Sequence, residues 1–267
     1  MSAWFLIAQR AAVEIARIAS PDAHQGAVAD GRAVYAIADS AISRIDKRDG
    51  HVLATWRGDP LRYKHLNSCI VPARQLVCAA SNYPDTPMRS KVLWFDASTL
   101  RLARERDLGH GAGSLTWLDW HDGDWWAGFA NYDARGGEAG RDHRWTTLVR
   151  YTPAFAERRR WLFPAPVLAR FAPRSTSGGL WGRDGLLYVT GHDRPELYAL
   201  RLPCRGDTLD LVATIATPTG GQAIGRDGTS RRRLWSIDRA ASQVVLSRLP
   251  RDRLPRRRCP PRSGLAE

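Results

Sequence analysis

The segment GGLWGRDGLLYVTGHDRPELYALRLP, Gly178 to Pro203, holds three short apolar runs separated by two unlike breaks. Arg183–Gly185 is an ordinary tight turn, because Asp-Gly tolerates the positive φ that short hairpins demand. Gly191–Glu196 is different: it sets His192 and Asp193 side by side where a turn needs neither. Each run alternates Leu, Tyr, Val and Ala over four to six residues, which is strand patterning rather than helical patterning.

The pattern recurs along the chain. A first unit covers His24 to Trp56, a second begins at His65, a third at Gly113, a fourth at Ser177 and a fifth at Gly220. Asp-Gly pairs recur at the first turn of four of these units, at 30–31, 122–123, 184–185 and 227–228. Each unit reads as four strands a-b-c-d, and four-stranded units repeated at this period mark a β-propeller. The fifth unit stops after three strands. Residues 12–19, AVEIARIA, precede the first unit and belong to none, so they are expected to complete the last blade and close the ring. The fold expected is therefore all-β, a five-bladed propeller of four-stranded antiparallel blades. Its domain spans 1–250, followed by a disordered Arg/Pro-rich tail, 251–267.

This topology fixes which residues meet. In every blade the start of strand a and the end of strand b share one face of the ring, and the a–b turns lie on the other. The starts supply His24, Gln25, His65, Asn67, Ser114, Thr116, Ser177 and Gln222; the ends supply Asp39, Asn82, Tyr83, Asn131, Asp133, His192, Asp193 and Asp238. Five of the seven histidines (His24, His65, His110, His143 and His192) fall on this polar face, while His51 and His121 fall on the opposite one. The longest insertions, Pro84–Ser90 and Ala134–Trp145, overhang it too. The second of these, with three glycines, suits either a mobile lid or an unstructured loop.

The expected site is thus the polar mouth of the channel. His192 with Asp193 can carry out acid–base chemistry near neutral pH, with His65 as a partner. His24, Gln25, Asn67, Asn82, Asn131, Ser177 and Gln222 are the expected substrate contacts, with Trp145 as a ligand platform. Of Trp117, Trp120, Trp125 and Trp126, alternation puts some in the core and some outside, and most are better suited to packing between blades. A divalent metal in the channel is an alternative, held by His24 and His65 with His110 or His192, or calcium held by Asn67, Asn131 and Asp193. No nucleophile elbow, Walker loop, HExxH or dinucleotide fingerprint occurs. An isomerase, cyclase or lyase is the expected class of enzyme. The alternative is a non-catalytic propeller binding a sugar, peptide or protein on the same face.

The formal net charge is +13, yet only three of the 40 basic residues are lysine, and the arginines scatter except at Arg158–Arg160, Arg231–Arg233 and the tail. That scatter argues against a nucleic-acid partner and for a small-molecule ligand. No apolar run approaches the length of a membrane span. The apolar patch Trp4–Ala8 lacks a basic flank and a cleavage site, so it does not read as a signal peptide. Cys69 and Cys78 face each other across a hairpin turning at Ala73–Arg74, which allows a cross-strand disulfide or two small buried thiols.

Two resemblances follow from these stretches. The first unit, with Gln25–Gly26 and Ser40–Asp46, resembles one blade of the YncE-like and glutamine-cyclotransferase propellers. The second is broader. SNYP (81–84), GSLTW (113–117), SGGLWG (177–182), TGHDRPELY (190–198) and GGQAI (220–224) are similar to an uncharacterised group of bacterial propeller proteins, some labelled cycloisomerase. That resemblance implies an enzyme and a periplasmic or secreted location.

Overall fold

A computed structural model describes residues 10–251 and Leu254. The patch Trp4–Ala8 and nearly all of the tail lie outside the described residues. The chain forms five four-stranded antiparallel sheets. Strand β1 is Val13–Ala19. Blade 1 is β2 Gly26–Ala29, β3 Ala33–Ala38, β4 Ala41–Asp46 and β5 Val52–Arg57. Blade 2 is β6 His65–Ile70, β7 Gln75–Ser81, β8 Arg89–Asp96 and β9 Leu102–His110. Blade 3 is β10 Ser114–His121, β11 Asp124–Ala130, β12 Thr147–Tyr151 and β13 Glu157–Leu162. A short helix, α1 Ala165–Phe171, leads into blade 4: β14 Gly178–Trp181, β15 Leu187–Thr190, β16 Glu196–Arg201 and β17 Asp210–Ala216. Blade 5 is β18 Gly225–Arg226, β19 Arg233–Asp238 and β20 Gln243–Arg248, with β1 as its outer strand.

The ring closes as the repeat pattern requires. β1 pairs antiparallel with β20 from Val13↔Arg248 to Ala19↔Gln243. Arg17 reinforces the register by reaching Asp238 at 2.7 Å while also holding Glu14. Just before β1 the chain also touches blade 4, where Ala12 N–H donates to Ala216 O and Ala216 N–H to Arg10 O, each at 2.8 Å. The Asp-Gly turns differ: Asp122 and Gly123 both take positive φ, 49° and 77°, so that hairpin turn matches the twist of its strands, whereas Gly185 and Gly228 take it without their aspartates and Asp30–Gly31 at neither residue.

The core lies between neighbouring blades. Trp117 of β10 is fully buried and donates its indole N–H to Thr176 at 2.9 Å. Its ring is clamped by two glycines: a Cβ at Gly128 would sit 2.1 Å from it, and one at Gly179 of blade 4 would sit 2.5 Å from it. Only glycine permits this approach, which explains Gly179 within an apolar strand. Trp126 stacks on Trp161 and meets Trp181 edge-on, and Trp125 meets Trp94 of blade 2. These tryptophans join blades, as their alternation implied. The missed element is α1. Its signal was present: Pro164 and Pro166 open it, and Val167, Leu168 and Phe171 form one buried face.

One ion pair with a buried carboxylate crosses the ring. Asp119 of β10 is fully buried and accepts both guanidinium nitrogens of Arg226, each at 2.7 Å. It also accepts the backbone N–H of Trp181 at 2.7 Å, while Arg226 donates to Trp181 O at 2.6 Å. Blades 3, 4 and 5 are tied together by this one carboxylate.

Cys69 and Cys78 form a disulfide between paired positions of β6 and β7. The link closes a loop with a sequence separation of 9, short enough that its entropic contribution is about 2–3 kcal/mol. Cys69→Ala/Cys78→Ala is expected to lower the unfolding free energy by about that amount. Denaturant titration checks this; no change would mean that the short hairpin is already held by its turn.

Candidate functional site

The polar face carries three imidazole–carboxylate pairs built in the same way. His192 Nδ1 lies 2.5 Å from Asp193 Oδ1, His65 Nδ1 2.5 Å from Asp39 Oδ1, and His143 Nδ1 2.6 Å from Asp133 Oδ1. A carboxylate against Nδ1 accepts its proton and leaves Nε2 turned away from the bond, so each ring is fixed in one tautomer. The sequence indicated His192 with Asp193. It gave no partner to His65, which takes Asp39 from the end of strand b in the neighbouring blade.

Around these pairs the elements hold each group in place. Gln25, on the link into β2, donates to Asp39 Oδ1 at 2.8 Å. Burial works against the Asp39 charge, but the hydrogen bonds from His65 and Gln25 and the nearby Arg239 outweigh it and hold its pKa below the usual carboxylate range. Gln222 grips the loop of His192 from blade 5. Its N–H bonds Gly191 O at 2.9 Å and its Nε2 bonds His192 O at 3.0 Å. It does so with φ at +79°, a left-handed conformation that costs about 1 kcal/mol or more for a non-glycine residue. Gln25 and Gln222 therefore position the two pairs.

Two arginines complete the mouth, and sequence reasoning did not single out either. Arg239 follows directly on Asp238 at the end of β19, and its Nε donates to His24 O at 2.7 Å. Arg174 follows α1 and donates to the Tyr83 hydroxyl at 3.2 Å. The Tyr83 ring lies 4.9 Å from His65 and 5.1 Å from Tyr132. Neither arginine forms an ion pair with a carboxylate among the described residues. Each feels the other's charge, and Arg239 also feels Asp39 and Asp193. The net effect of burial and Arg174 is a lowered pKa for Arg239.

His192 is the most perturbed of the imidazoles. Its side chain is 26% exposed. Burial lowers its pKa, Asp193 pulls it up, and Arg239 and Arg174 push it down; the net shift is downward from 6.5. The unfolded chain therefore binds this proton at a higher pH than the folded chain does. The associated stability is present above pH 6.5 and declines as the pH falls below it. In a proton NMR titration the His192 midpoint is expected below 6.5, and Arg239→Gln is expected to move it upward. A midpoint that ignores Arg239 would remove the electrostatic coupling across the mouth.

The other expected site residues are placed as follows. His24 is exposed beside Arg239. Asn67 is buried and spends its amide on Leu115 O of blade 3 at 3.0 Å. Asn82 caps its own loop, donating to Pro87 O and accepting from Arg89 N–H. Asn131 is buried and reaches Trp145 O at 3.1 Å. Ser177 is half-buried, and its backbone N–H bonds Thr190 O. These asparagines link strands and loops through their amide nitrogens, and Asp193 is engaged by His192.

The insertion Ala134–Trp145 is neither a loose lid nor an unstructured loop. Glu138 accepts Met88 N–H, Arg141 donates to Gly111 O at 2.6 Å, and His143 is locked to Asp133. Trp145 is 54% exposed, with Arg141 5.9 Å over its ring. His110 lies on β9, the outermost strand of blade 2, and bonds Met88 O. It belongs to the rim, away from the inner strands where His65 lies. Among the described residues, three ligand-type groups converge within 4.8 Å only at Asp133, Asp142 and His143. There His143 and Arg144 already occupy the carboxylates. His24, His65 and His192 form no such group.

No family model matches this chain, and no curated protein matches it. Solved structures do. It is similar to the PQQ-bound aldose sugar dehydrogenase of Streptomyces coelicolor, at 15% identity and a TM-score of 0.51 over 86% of this chain and 78% of that one. The Cps50 (Swd1) β-propeller domain of Myceliophteria thermophila matches at 11% identity and a TM-score of 0.49, over 90% of this chain and 100% of that one. BamB from Moraxella catarrhalis matches at 14% identity and a TM-score of 0.36, over 84% of this chain and 58% of that one. At such identities the likeness to the dehydrogenase extends to the ring architecture and no further. Among the described residues no helix is long and apolar enough to cross a membrane.

Proposed function

We propose that the channel mouth is the active site of a proton-transfer enzyme of the isomerase, cyclase or lyase type, acting on a polar small molecule with an acidic group. The observation that carries this reading is the matched pair His192–Asp193 and His65–Asp39, each bonded through Nδ1. His192, with its depressed pKa, is the base: its Nε2 lone pair accepts a proton from substrate, and Asp193 stabilises the imidazolium that forms. His65, entering the step as an imidazolium that Asp39 stabilises, gives its Nε2 proton to a second atom, and proton exchange with water then returns His192 and His65 to their starting states. Arg174 and Arg239 form no ion pair among the described residues and orient the acidic group of the substrate. Gln25 and Gln222 act through the pairs they position.

The disulfide supports the exported location implied by the resemblance, since such bonds persist in oxidising compartments. A second reading, a binding module for a sugar, peptide or protein, is favoured by one observation. Two clefts, of about 1220 and 1260 Å³, reach the a–b turns, the first also bordered by β1 and by Lys47–Gly50, so a ligand held there would lie on the face opposite the mouth rather than on the same face as the His–Asp pairs.

The test separates the two. Small carboxylic and sugar acids are screened by thermal shift, and hits are incubated with the protein in deuterated water under proton NMR. Exchange of a carbon-bound hydrogen that is lost in His192→Ala and retained in His110→Ala supports the enzyme. Binding with no exchange in any hit supports the binding module.

A further inference from the structure

The mouth leaves one strongly charged feature unexplained: the cleft of about 1260 Å³ between blades 4 and 5 on the opposite face. Its floor is apolar. Leu180, Leu186, Tyr188 and Leu234 line it and belong to one buried cluster. Its rim is cationic, with seven arginines lining the cleft against a single carboxylate, Asp184. That carboxylate is already engaged by the Tyr188 hydroxyl at 2.7 Å.

The arginines come from different places. Arg183 comes from the a–b turn of blade 4, Arg231 from the a–b connection of blade 5, Arg233 from the first residue of β19, and Arg251 from the end of the described chain. Arg226 is neutralised by Asp119 at the inner end. Arg183, Arg231, Arg233 and Arg251 are exposed and form no ion pair among the described residues. Two adjacent blades thus aim like charges into one concavity. Like charges brought together raise the energy of the empty fold, and an apolar floor strengthens the field above them. The run Arg231–Arg233 lines the same cleft as Arg183, and Arg233 also borders the neighbouring cleft of about 1220 Å³.

We propose that this cleft binds a multiply phosphorylated small molecule, with Arg183, Arg231 and Arg233 holding its phosphates. Guanidinium groups match phosphate oxygens bidentately, and several in one cleft favour several phosphates over one. The site lies on the face away from the His–Asp pairs, so it stands or falls independently of the proposed reaction. An inorganic phosphate chain and a phosphorylated organic molecule offer the same chemistry.

The test is calorimetric titration of the full chain at about 150 mM salt, where surface fields are screened within about 8 Å. The probes are inorganic tripolyphosphate, a nucleoside triphosphate, orthophosphate and a single-stranded oligonucleotide. Tripolyphosphate or the nucleoside triphosphate is expected to bind at least about tenfold tighter than orthophosphate. The tighter of the two identifies the source. Arg183→Ser/Arg231→Ser/Arg233→Ser is expected to weaken binding about tenfold or more, with an unchanged melting temperature because these side chains are exposed. Arg256→Ser/Arg257→Ser/Arg258→Ser in the tail is expected to leave it within about twofold. An equal loss from the tail variant, no preference over orthophosphate, or tighter binding of the oligonucleotide than of either small polyphosphate would each overturn the proposal.

Discussion

Asp119→Ala is expected to destabilise the protein by about 3–5 kcal/mol, because the fully buried carboxylate is the shared acceptor of two backbone N–H groups and of Arg226, whose own side chain is 40% exposed. The carboxylate is fully buried and accepts from Arg226, from Trp181 N–H and from Trp120 N–H. Removing it leaves two backbone donors without their acceptor, each costing about 1–3 kcal/mol when buried, and takes from the part-exposed Arg226 its carboxylate. For a domain of this size the melting temperature is expected to fall by about 10 °C or more. Asp119→Ala/Arg226→Met is expected to recover part of the loss, because the unpaired charge goes as well. A single-variant cost under about 1 kcal/mol would show that the ion pair does not join the three blades.

Deleting residues 1–19 is expected to be more severe still. It removes β1 and bares the edge of β20, along with the bridges that Ala12 and Arg10 make to Ala216 of blade 4. β1 contributes little buried side-chain surface, since all its residues but Ile18 are exposed. Its contribution is the hydrogen-bonded ladder, about 0.5–1.5 kcal/mol per bond, and the closure of an edge that otherwise recruits other chains. The truncated protein is expected to lose its cooperative melt and to self-associate on gel filtration. A synthetic peptide of residues 10–20 added in trans is expected to restore both properties. A truncated chain that stays monomeric and melts like the full one would mean that the ring is closed by inter-blade packing alone.

The catalytic reading and these stability predictions rest on different residues. The variants of Asp119 and β1 probe the inner end of the channel and the outer seam. The His192 and Arg239 variants probe the mouth. A loss of exchange in His192→Ala with an intact melt can therefore be assigned to chemistry rather than to folding.

The sequence by itself determined the ring. Strand alternation and Asp-Gly turns are local properties, set by side-chain period and by φ, so LLYVT at 186–190 and the hairpin at Ala73–Arg74 were legible without any partner. The orphan strand 12–19 found its place because a blade short of one strand leaves only one vacancy. His192–Asp193 was legible because its members are adjacent. The tertiary structure alone decided the contacts between blades. His65 and Asp39 are 26 residues apart, Asp119 and Arg226 are 107 apart, and Arg174 and Arg239 reach the mouth from a helix exit and a strand end. Such pairings depend on the rotation and stagger between neighbouring sheets, which the packing of Trp117 against Gly128 and Gly179 sets and no local pattern encodes. For the same reason the sequence did not foretell that the amide nitrogens of Asn67 and Asn131 bond backbone oxygens, because a buried amide takes whichever acceptor the adjoining strand or loop presents.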